Sequence, residues 1–509
     1  MKVNRRLWSL FVLLLLTSVG AYAQDLASFE KKTTVRKLDN GLTIIVMERH
    51  DAPVFSYATV VNAGSAQEVP GITGLAHMFE HMAFKGTDRL GSKDWKAEKA
   101  ALQKVERAYQ AYDGARRQEV GRDEAKITEL EKAWRDAMAE ADKFVVQDEF
   151  STIVSRNGGV GMNAGTASDM TLYFFSMPSN RFELWAYLES ERFARTVFRE
   201  FYKERDVVME ERRMRTESNP IGRLFEQFIT AAFIAHPYGV PTIGWPSDLQ
   251  SFSATDAQVF FNKYYVPSNM VISVVGDVNT AEVMPMMEKY FGRLPNAPKP
   301  EPLRTVEPQQ RAEKTVVLRD AAQPFYLEGY HRPSVTHPDN AAYDVLSMLL
   351  SSGRTSRLYK TLVRDQKIAA AAAGMNGFPG DKYPNLFVFY AVPTPGHTPA
   401  EMADGIRAEI ERIKTEDIPA EELQSVKTRA KADLLRQLDS NSGLALQLAI
   451  TQTQAGDWRE LFRQVEKIEK VTAADVKRIA NEIFVPTNRT VAYIENAAAK
   501  PAAAKEGAK

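Results

Sequence analysis

The chain carries one short sequence unit twice, and this repeat limits the folds that it can adopt. Residues 266–269 (VPSN) and residues 485–488 (VPTN) each follow a helical pattern and precede an apolar run of strand type. The two copies lie roughly 219 residues apart, whereas solenoid repeats have periods of about 20 to 50 residues. The repeat therefore predicts two homologous domains within the 509-residue chain.

A proline-rich segment separates the two predicted domains. Residues 293–313 contain little apolar material, which is typical of an interdomain linker. We therefore expect an N-terminal domain at 30–292, a C-terminal domain at 314–496 and a disordered tail at 497–509. Strand and helix patterns occur together in each half. The predicted fold class is therefore α+β, with helices packed on a mainly antiparallel sheet.

The first 23 residues have the pattern of a secretory signal peptide. A basic start is followed by a short apolar run at 7–19 and by the small-residue cleavage pattern Ala21-Tyr22-Ala23. The alternative is an uncleaved anchor, although the run is short for a membrane span. No later segment is long and apolar enough to cross a bilayer. We therefore expect a periplasmic protein without stable membrane insertion.

Composition excludes several classes of function. The 65 basic and 65 acidic residues balance, so nothing indicates nucleic acid as a partner. The chain has no cysteine, which excludes disulfide bonds, thiolate metal ligands and a cysteine nucleophile. Any metal site must therefore use histidine and carboxylate side chains.

Residues 92–147 interrupt the first half with a segment rich in Lys, Glu, Ala and Arg. Apolar and aromatic residues recur in it at helical spacing, and Gly114 and Gly121 bracket a turn. The pattern predicts a charged antiparallel helical hairpin. A solvated surface insertion is the simplest interpretation, and a lid or a partner-binding arm is the alternative.

Residues 77–81 (HMFEH) are the strongest chemical signal in the sequence. His77 and His81 are four residues apart, so on a helix both imidazoles leave the same face and can share one zinc ion. Glu80 lies close to that face, where a carboxylate can take a proton from zinc-bound water. The alternative is two surface histidines beside a structural glutamate.

A catalytic zinc site normally needs a third protein ligand. Glu204 and Glu211 are seven residues apart, so on a helix both point the same way, whereas Glu210 points elsewhere. A charged helix of this kind is also compatible with an ordinary solvated surface. Spacing alone leaves the choice open.

The two segments together resemble the pitrilysin/insulinase family of zinc peptidases, in which H-x-x-E-H on a helix is followed by E-R-x-x-V-x-x-E. The mitochondrial processing peptidases and many secreted bacterial peptidases belong to this family. The resemblance spans nearly the whole chain after residue 23. Further matching segments are 38–42 (LDNGL), 74–76 (GLA), 162–164 (MNA), 236–239 (HPYG), 274–277 (VVGD) and 353–359 (GRTSRLY).

The resemblance implies a role for each matching residue. His77, His81 and Glu211 would hold one Zn²⁺ per chain, Glu80 would be the general base, and Glu204 would support the ligands. A peptide substrate would lie along the edge strand that starts at Asn163 and Ala164. Arg354 and Tyr359 would come from the second domain to contact the substrate or its oxyanion, and Arg357 is an alternative that fits a structural role.

The family also implies the arrangement of the whole chain. Its two domains face each other across a substrate cavity, and several of its members work as pairs of chains in which only one chain has the zinc. The resemblance therefore implies a homodimer or a heterodimer with a second family member. After removal of the insertion, residues 77–81 map onto about 349–353 (LLSSG), which contain no His or Glu. We therefore expect a zinc peptidase with one metal site, acting on peptides or unfolded polypeptides. The alternatives are a non-catalytic scaffold or partner subunit, and a peptide-binding protein with structural zinc.

Overall fold

The computed structural model describes residues 26–496. The predicted signal peptide at 1–23 and the predicted tail at 497–509 lie outside these residues. The strands are β1 (Thr33–Lys37), β2 (Thr43–Glu48), β3 (Val54–Val61), β4 (Val160–Thr166), β5 (Thr171–Pro178), β6 (Met270–Gly276), β7 (Lys314–Asp320), β8 (Phe325–Arg332), β9 (Ala369–Phe378), β10 (Asn385–Pro393) and β11 (Arg489–Asn496).

The helices occur mostly in runs between groups of strands in both halves of the chain. They are α1 (Leu26–Lys32), α2 (Leu75–Met82), α3 (Trp95–Arg116), α4 (Glu124–Asp142), α5 (Glu149–Arg156), α6 (Phe182–Ala194), α7 (Phe201–Arg212), α8 (Pro220–Ala232), α9 (Pro246–Leu249), α10 (Ala254–Tyr264), α11 (Thr280–Phe291), α12 (Asn340–Ser351), α13 (Pro399–Thr415), α14 (Ala420–Leu438), α15 (Asn441–Ala455), α16 (Glu460–Lys470) and α17 (Ala473–Ile483). Short π-helical segments follow α7 at Arg213–Glu217 and lie at Tyr359–Asp365.

Both halves contain the same mixed sheet. The first has strand order β1-β2-β6-β3-β5-β4, and the second has order β7-β11-β8-β10-β9. Apart from β1, the two orders correspond strand for strand, and each sheet has one parallel pair, β2 with β6 and β7 with β11. All other neighbours are antiparallel. The predicted α+β class and the two homologous folds are thus confirmed.

The asparagines of the repeated VPSN and VPTN units make equivalent hydrogen bonds in the two halves. The side-chain amide of Asn269 donates to the carbonyl of Tyr264, at the end of α10, and to the carbonyl of Asn62, after β3. The amide of Asn488 donates to the carbonyl groups of Ile483 and His331 in the same way. Each asparagine therefore fastens a helix end to the neighbouring strand, and this explains why the two copies match.

The two halves interlock by exchanging one helix each. Helix α15 of the C-terminal half packs on β3 and β6 of the first sheet, and its buried Leu444 and Leu448 join a core with Ile45 and Val60. Helix α8 of the N-terminal half packs on β7 and β11 of the second sheet. One face of each sheet is therefore covered by a helix from the other half.

The segment at 92–147 forms the expected hairpin, built from α3 and α4. Its outer face is charged and exposed, whereas Val105, Tyr109 and Trp134 are buried in the main core of the N-terminal half. The side chain of Asp94 accepts the amide of Ala97 and caps α3. The hairpin is therefore an integral part of this half on its inner side, and only its outer side is a solvated surface.

The predicted linker at 293–313 contains no helix or strand. It is nevertheless fixed to the fold, because the carboxylate of Glu307 accepts the backbone amides of Ile234, Ala235 and His236. Within residues 26–496, none of the helices combines the length and the apolar character needed to cross a membrane.

Candidate metal site

Helix α2 is oriented by its apolar residues. Leu75, Met78, Phe79 and Met82 are buried in the core of the N-terminal half, so the helix turns its remaining face toward α7 and β4. The helix begins after Gly74, whose φ of 94° favours glycine.

A buried carboxylate holds the start of this helix. The side chain of Glu68 accepts the amides of Gly74 and Ala76 at 2.8 and 2.7 Å, and so satisfies two backbone groups that the first turn leaves unpaired. Burial raises the pKa of Glu68 to about 8, although the two backbone hydrogen bonds act in the opposite direction.

His77, His81 and Glu211 converge at one point between α2 and α7. The Nε2 atoms of His77 and His81 lie 3.6 and 3.4 Å from Oε2 of Glu211, and one ligand atom from each residue fits within 4.8 Å of the others. Ligands about 2.0 to 2.2 Å from a tetrahedral zinc ion are roughly 3.3 to 3.6 Å apart. The donor set and its spacing therefore fit zinc, and this is the only such group found among residues 26–496.

The electrostatics of the two histidines differ. Burial lowers the pKa of His77 to about 4, which favours the neutral imidazole that a metal requires. Burial also acts to lower the pKa of His81, but its hydrogen bond to Glu204 and the charge of Glu211 outweigh this effect and raise the pKa. Protons and a metal ion thus compete for the His81 ring.

Glu80 is held by the edge strand of the first sheet. Its Oε2 accepts a hydrogen bond from the hydroxyl of Thr166 at 2.8 Å. Thr166 is the last residue of β4, which lies at the edge of the sheet and pairs only with β5 among the described strands. Asn163 and Ala164 lie within this strand rather than at its start, and Asn163 is exposed. An unpaired strand edge therefore runs beside the carboxylate.

The carboxylate of Glu204 contacts one of the two histidines of the site and a neighbouring lysine. Its Oε2 lies 3.3 Å from Nδ1 of His81, and its Oε1 lies 2.5 Å from Nζ of Lys85. Burial acts to raise the pKa of Glu204, but the hydrogen bonds to His81 and Lys85 prevail and lower it. On the other side of the site, Nη1 of Arg215 lies 2.6 Å from the second carboxylate oxygen of Glu211.

The candidates from the C-terminal half lie outside this cluster. Arg354 is exposed and Tyr359 is half-buried, and both follow α12, the counterpart of α2. Arg357 is buried and makes a bidentate ion pair with Glu422 at 3.0 and 2.7 Å, which agrees with a structural role. Among the described contacts of the metal site, every partner comes from the N-terminal half.

Sequence reasoning missed several residues of the site, namely Glu68, Lys85, Thr166 and Arg215. It also missed Glu200, whose Oε2 lies 3.3 Å from Nζ of Lys85. Two of them carried a usable signal, because Lys85 lies four residues after His81 and Glu200 lies four residues before Glu204. Thr166 carried none, because its contact with Glu80 joins segments 86 positions apart.

A cavity of about 1060 Å³ lies between the two halves. The N-terminal half contributes residues close to the turn between β4 and β5, and the C-terminal half contributes α12 and α14 to α16. The residues of the metal site are not among those that line it. A second cavity, of about 880 Å³, separates part of the helical hairpin from α7 and includes Glu200 and Lys203 in its wall.

This duplicated α+β architecture is that of the two-domain M16 peptidases. Sequence models of the family match the chain in both halves: "Insulinase (Peptidase family M16)" at residues 43–112 and "Peptidase M16 inactive domain" at residues 251–430. The chain belongs to the insulinase family of peptidases, M16.

Relatives named as zinc proteases align over most of the chain. The zinc protease PqqE of Helicobacter pylori is 29% identical over 500 residues, which cover 97% of this chain and 99% of that protein. An uncharacterized zinc protease, YmxG, of Bacillus subtilis is 21% identical and covers 87% of this chain and 94% of its own length. These names support a peptidase-type hydrolase and zinc as its metal.

Solved structures match the whole fold. A protease from Helicobacter pylori superimposes with a TM-score of 0.76 at 29% identity, over 91% of this chain and 99% of that chain. The first half of the periplasmic protease PqqL from Escherichia coli gives a TM-score of 0.65 at 18% identity, over 92% of both chains. Against complete PqqL, at 17% identity and a TM-score of 0.67, the match covers 92% of this chain but 49% of that chain. The two PqqL matches concern the fold alone.

Proposed function

We propose that this protein is a zinc-dependent peptidase that hydrolyses peptides or unfolded polypeptides. The observation that carries the proposal is the spacing of His77, His81 and Glu211, which suits a single zinc ion. Three protein ligands are the number found in catalytic zinc sites, whereas structural sites are usually closed by four.

The side chains around the ligands have distinct tasks in this proposal. Zinc, when bound, acts as a Lewis acid that lowers the pKa of a water molecule and polarises the scissile carbonyl. Glu80 takes the proton of the attacking water and passes it to the leaving amine. Thr166 keeps the Glu80 carboxylate oriented through its hydrogen bond. Glu204 holds the His81 ring through Nδ1, the ring nitrogen that does not face Glu211.

The edge strand β4 suits an extended peptide. Its outer edge makes no ladder with another described strand, and it ends at Thr166, beside Glu80. A substrate that pairs with Asn163 and Ala164 would add a strand to the sheet and pass the general base. Binding through the backbone favours unfolded chains over folded proteins.

We propose that Arg354 and Tyr359 act on a substrate bound in a paired assembly. Both residues belong to the half without the metal site, and Arg354 is exposed. Complete PqqL is about twice the length that this chain matches, so one PqqL chain has room for two such units. A homodimer, or a heterodimer with a second family member, would supply the same number of units.

The proposed location of the protein is the periplasm. Residues 1–23 have the pattern of a secretory signal peptide, and PqqL, which shares the fold, is a periplasmic protease.

The direct test of the proposed function is cleavage of a quenched peptide library by the mature chain and by its Glu80→Gln variant. We expect kcat to fall by about 10²- to 10⁴-fold in the variant, because general-base catalysis contributes about that much, while bound zinc is retained. Glu140→Gln, on the exposed face of the hairpin, is the matched control and should keep full activity.

The alternative is a non-catalytic scaffold or partner subunit that has kept the fold. Zinc bound without cleavage by the wild-type chain would favour it, provided that addition of a second family member restores activity. Equal cleavage by the wild-type and Glu80→Gln chains would contradict the proposed mechanism.

A further inference from the structure

A chain of polar contacts leads from the helical hairpin to a metal ligand. The side-chain amide of Gln147, just after the hairpin, donates to Oε1 of Glu200 at 2.9 Å. Oε2 of Glu200 lies 3.3 Å from Nζ of Lys85, and the same ammonium group lies 2.5 Å from Glu204. Glu204 in turn contacts Nδ1 of His81 at 3.3 Å. Four contacts therefore join the end of the insertion to the ring of His81.

The members of this chain are shielded from solvent. The side chains of Lys85, Glu200 and Glu204 are 20%, 6% and 15% exposed. Glu200 and Glu204 sit one turn apart at the start of α7, and Lys85 is the cation shared by both carboxylates. Without that cation the two carboxylates would repel each other, and Glu204 would lose the group that holds it toward His81.

The backbone of Glu200 indicates that its side chain is needed for something other than helix initiation. The residue has a φ of 57°, in the left-handed region that glycine adopts without strain. It occupies the capping position of α7, yet its side chain makes no capping hydrogen bond to the helix. Its carboxylate points instead to Lys85, Gln147 and Lys203.

A second link ties the hairpin to the backbone of Lys85. Glu98, buried on α3, pairs with Arg199, and the Arg199 guanidinium donates to the carbonyl groups of Lys85 at 2.6 Å and Thr87 at 3.0 Å. The hairpin therefore holds Lys85 through its carbonyl group and Glu200 through its carboxylate.

We infer that Lys85 and Glu200 are positioning residues of the metal site, through which the helical hairpin fixes Glu204 and the His81 ring. The inference rests on the proposed zinc site and deepens it. Residues that orient a metal-bound histidine usually change metal affinity about 10- to 100-fold when they are removed. Neither Lys85 nor Glu200 needs to touch the metal or the substrate for this effect.

The test is zinc affinity, measured by competition with a chelator on the full mature chain. We expect Lys85→Met and Glu200→Gly to weaken zinc binding by about 10-fold, and Lys85→Arg to restore most of it, because an arginine can bridge both carboxylates. Glu200→Gly should leave the melting temperature unchanged or raised, because glycine tolerates the backbone conformation. Lys367→Gly is the matched control: Lys367 also has a positive φ, of 59°, but belongs to the C-terminal half.

The possible outcomes separate this inference from the proposed function. Equal zinc affinity in the wild-type, Lys85→Met and Glu200→Gly chains would overturn the positioning role while leaving the zinc site intact. A joint loss of zinc affinity and melting temperature in Glu200→Gly would assign the residue to folding and would also overturn it. A wild-type chain that binds no zinc would overturn the proposed function itself.

Discussion

The hydroxyl of Thr166 is the partner on β4 that the carboxylate of Glu80 contacts, and its removal is predicted to affect catalysis alone. Thr166→Val should lower kcat by about 10- to 100-fold, because a hydrogen bond to a charged group contributes about 1.5 to 3 kcal/mol. Zinc content should not change, since Thr166 is not one of the three clustered ligands. Steady-state cleavage of a quenched peptide, together with metal analysis, measures both quantities.

Thr166→Ser is the matched control, because it keeps the hydroxyl and should keep most of the activity. Full activity in Thr166→Val would show that Glu80 is oriented by other means.

Helical spacing in the sequence predicts some residues of the site, whereas others cannot be predicted from local spacing. His77, Glu80 and His81 share one helix, so a period of 3.6 residues is enough to place them together. Glu211 needed the family pattern, because the same spacing also suits a solvated helix. Thr166 acts through a contact with a distant segment, and no periodicity within its own segment marks it. Lys85 has only its position four residues after His81 as a signal, and its contacts with Glu200 and Glu204 join distant segments.

The exchanged helices α8 and α15 each connect one half of the chain to the sheet of the other half. Phe228 on α8 is buried against β8, where a Cβ added to Gly329 would lie 2.5 Å from the phenylalanine ring. Leu448 on α15 is buried against the first sheet. Each helix is therefore part of the core of the other half, and loss of either should affect both sheets.

We predict that Phe228→Ala and Leu448→Ala each destabilise the whole chain. The expected cost is about 2 to 5 kcal/mol for each variant, from lost burial and from the cavity left behind. Calorimetry should show one cooperative transition at a lower melting temperature. Val259→Ala, at a residue that is 64% exposed, is the control and should be close to neutral. Two separate transitions, with one half unaffected, would contradict the interlocked arrangement.

Most individual elements were predictable, whereas their exchange between halves was not. Strand β2, the helical hairpin and the repeated unit after α10 and α17 all follow from apolar periodicity, turns and capping residues. The amphipathic pattern of α8 indicates only that one face is buried. It does not tell which sheet covers that face, because that choice depends on contacts far apart in sequence.

At the scale of the whole molecule, a group of hydrogen bonds to the carboxylate of Asp169 joins the two halves. Its carboxylate accepts the hydroxyl of Tyr238 at 2.6 Å and the backbone amides of Asp381 and Lys382 at 2.9 and 3.0 Å. Burial raises the pKa of the Asp381 carboxyl to about 7; Arg332 opposes the shift, and the charges of Asp169 and Asp344 add to it. The contact between the halves is therefore sensitive to pH.

Proton uptake by Asp381 determines whether the free energy of unfolding rises or falls with pH. The pKa of Asp381 is about 7 in the folded chain against about 3.8 in the unfolded chain, so folding takes up a proton between these values. The stabilisation of the folded chain by this proton uptake is complete below about pH 4 and is lost as pH rises through about 7. Asp381→Asn removes the titration and should gain stability relative to the wild type, up to about 4 kcal/mol at pH 8 and little at pH 4.

Melting temperatures of both chains at these two pH values give the measurement. Asp417→Asn is the control, because this carboxylate is fully exposed. A constant difference between Asp381→Asn and the wild type across pH would show that folding does not raise the pKa of Asp381.

The repeat of VPSN and VPTN predicted two copies of one fold, and the matching strand orders confirm it. How the halves interlock and where the cavities lie depend on packing between segments hundreds of residues apart, which composition and periodicity do not encode. The metal site differs in part, because two of its three proposed donors, His77 and His81, lie on one helix and only Glu211 comes from a distant segment.

Zinc content of the purified mature chain, measured beside Glu211→Gln and Glu210→Gln, tests the central claim most directly. Glu210 is the neighbouring carboxylate, exposed and paired with Arg213, so its substitution changes the same charge one residue away from the proposed ligand. We predict about one zinc ion per chain in the wild type and in Glu210→Gln, and a large loss in Glu211→Gln. Equal zinc content in all three chains, or none in the wild type, would contradict the assignment of His77, His81 and Glu211 as the metal site.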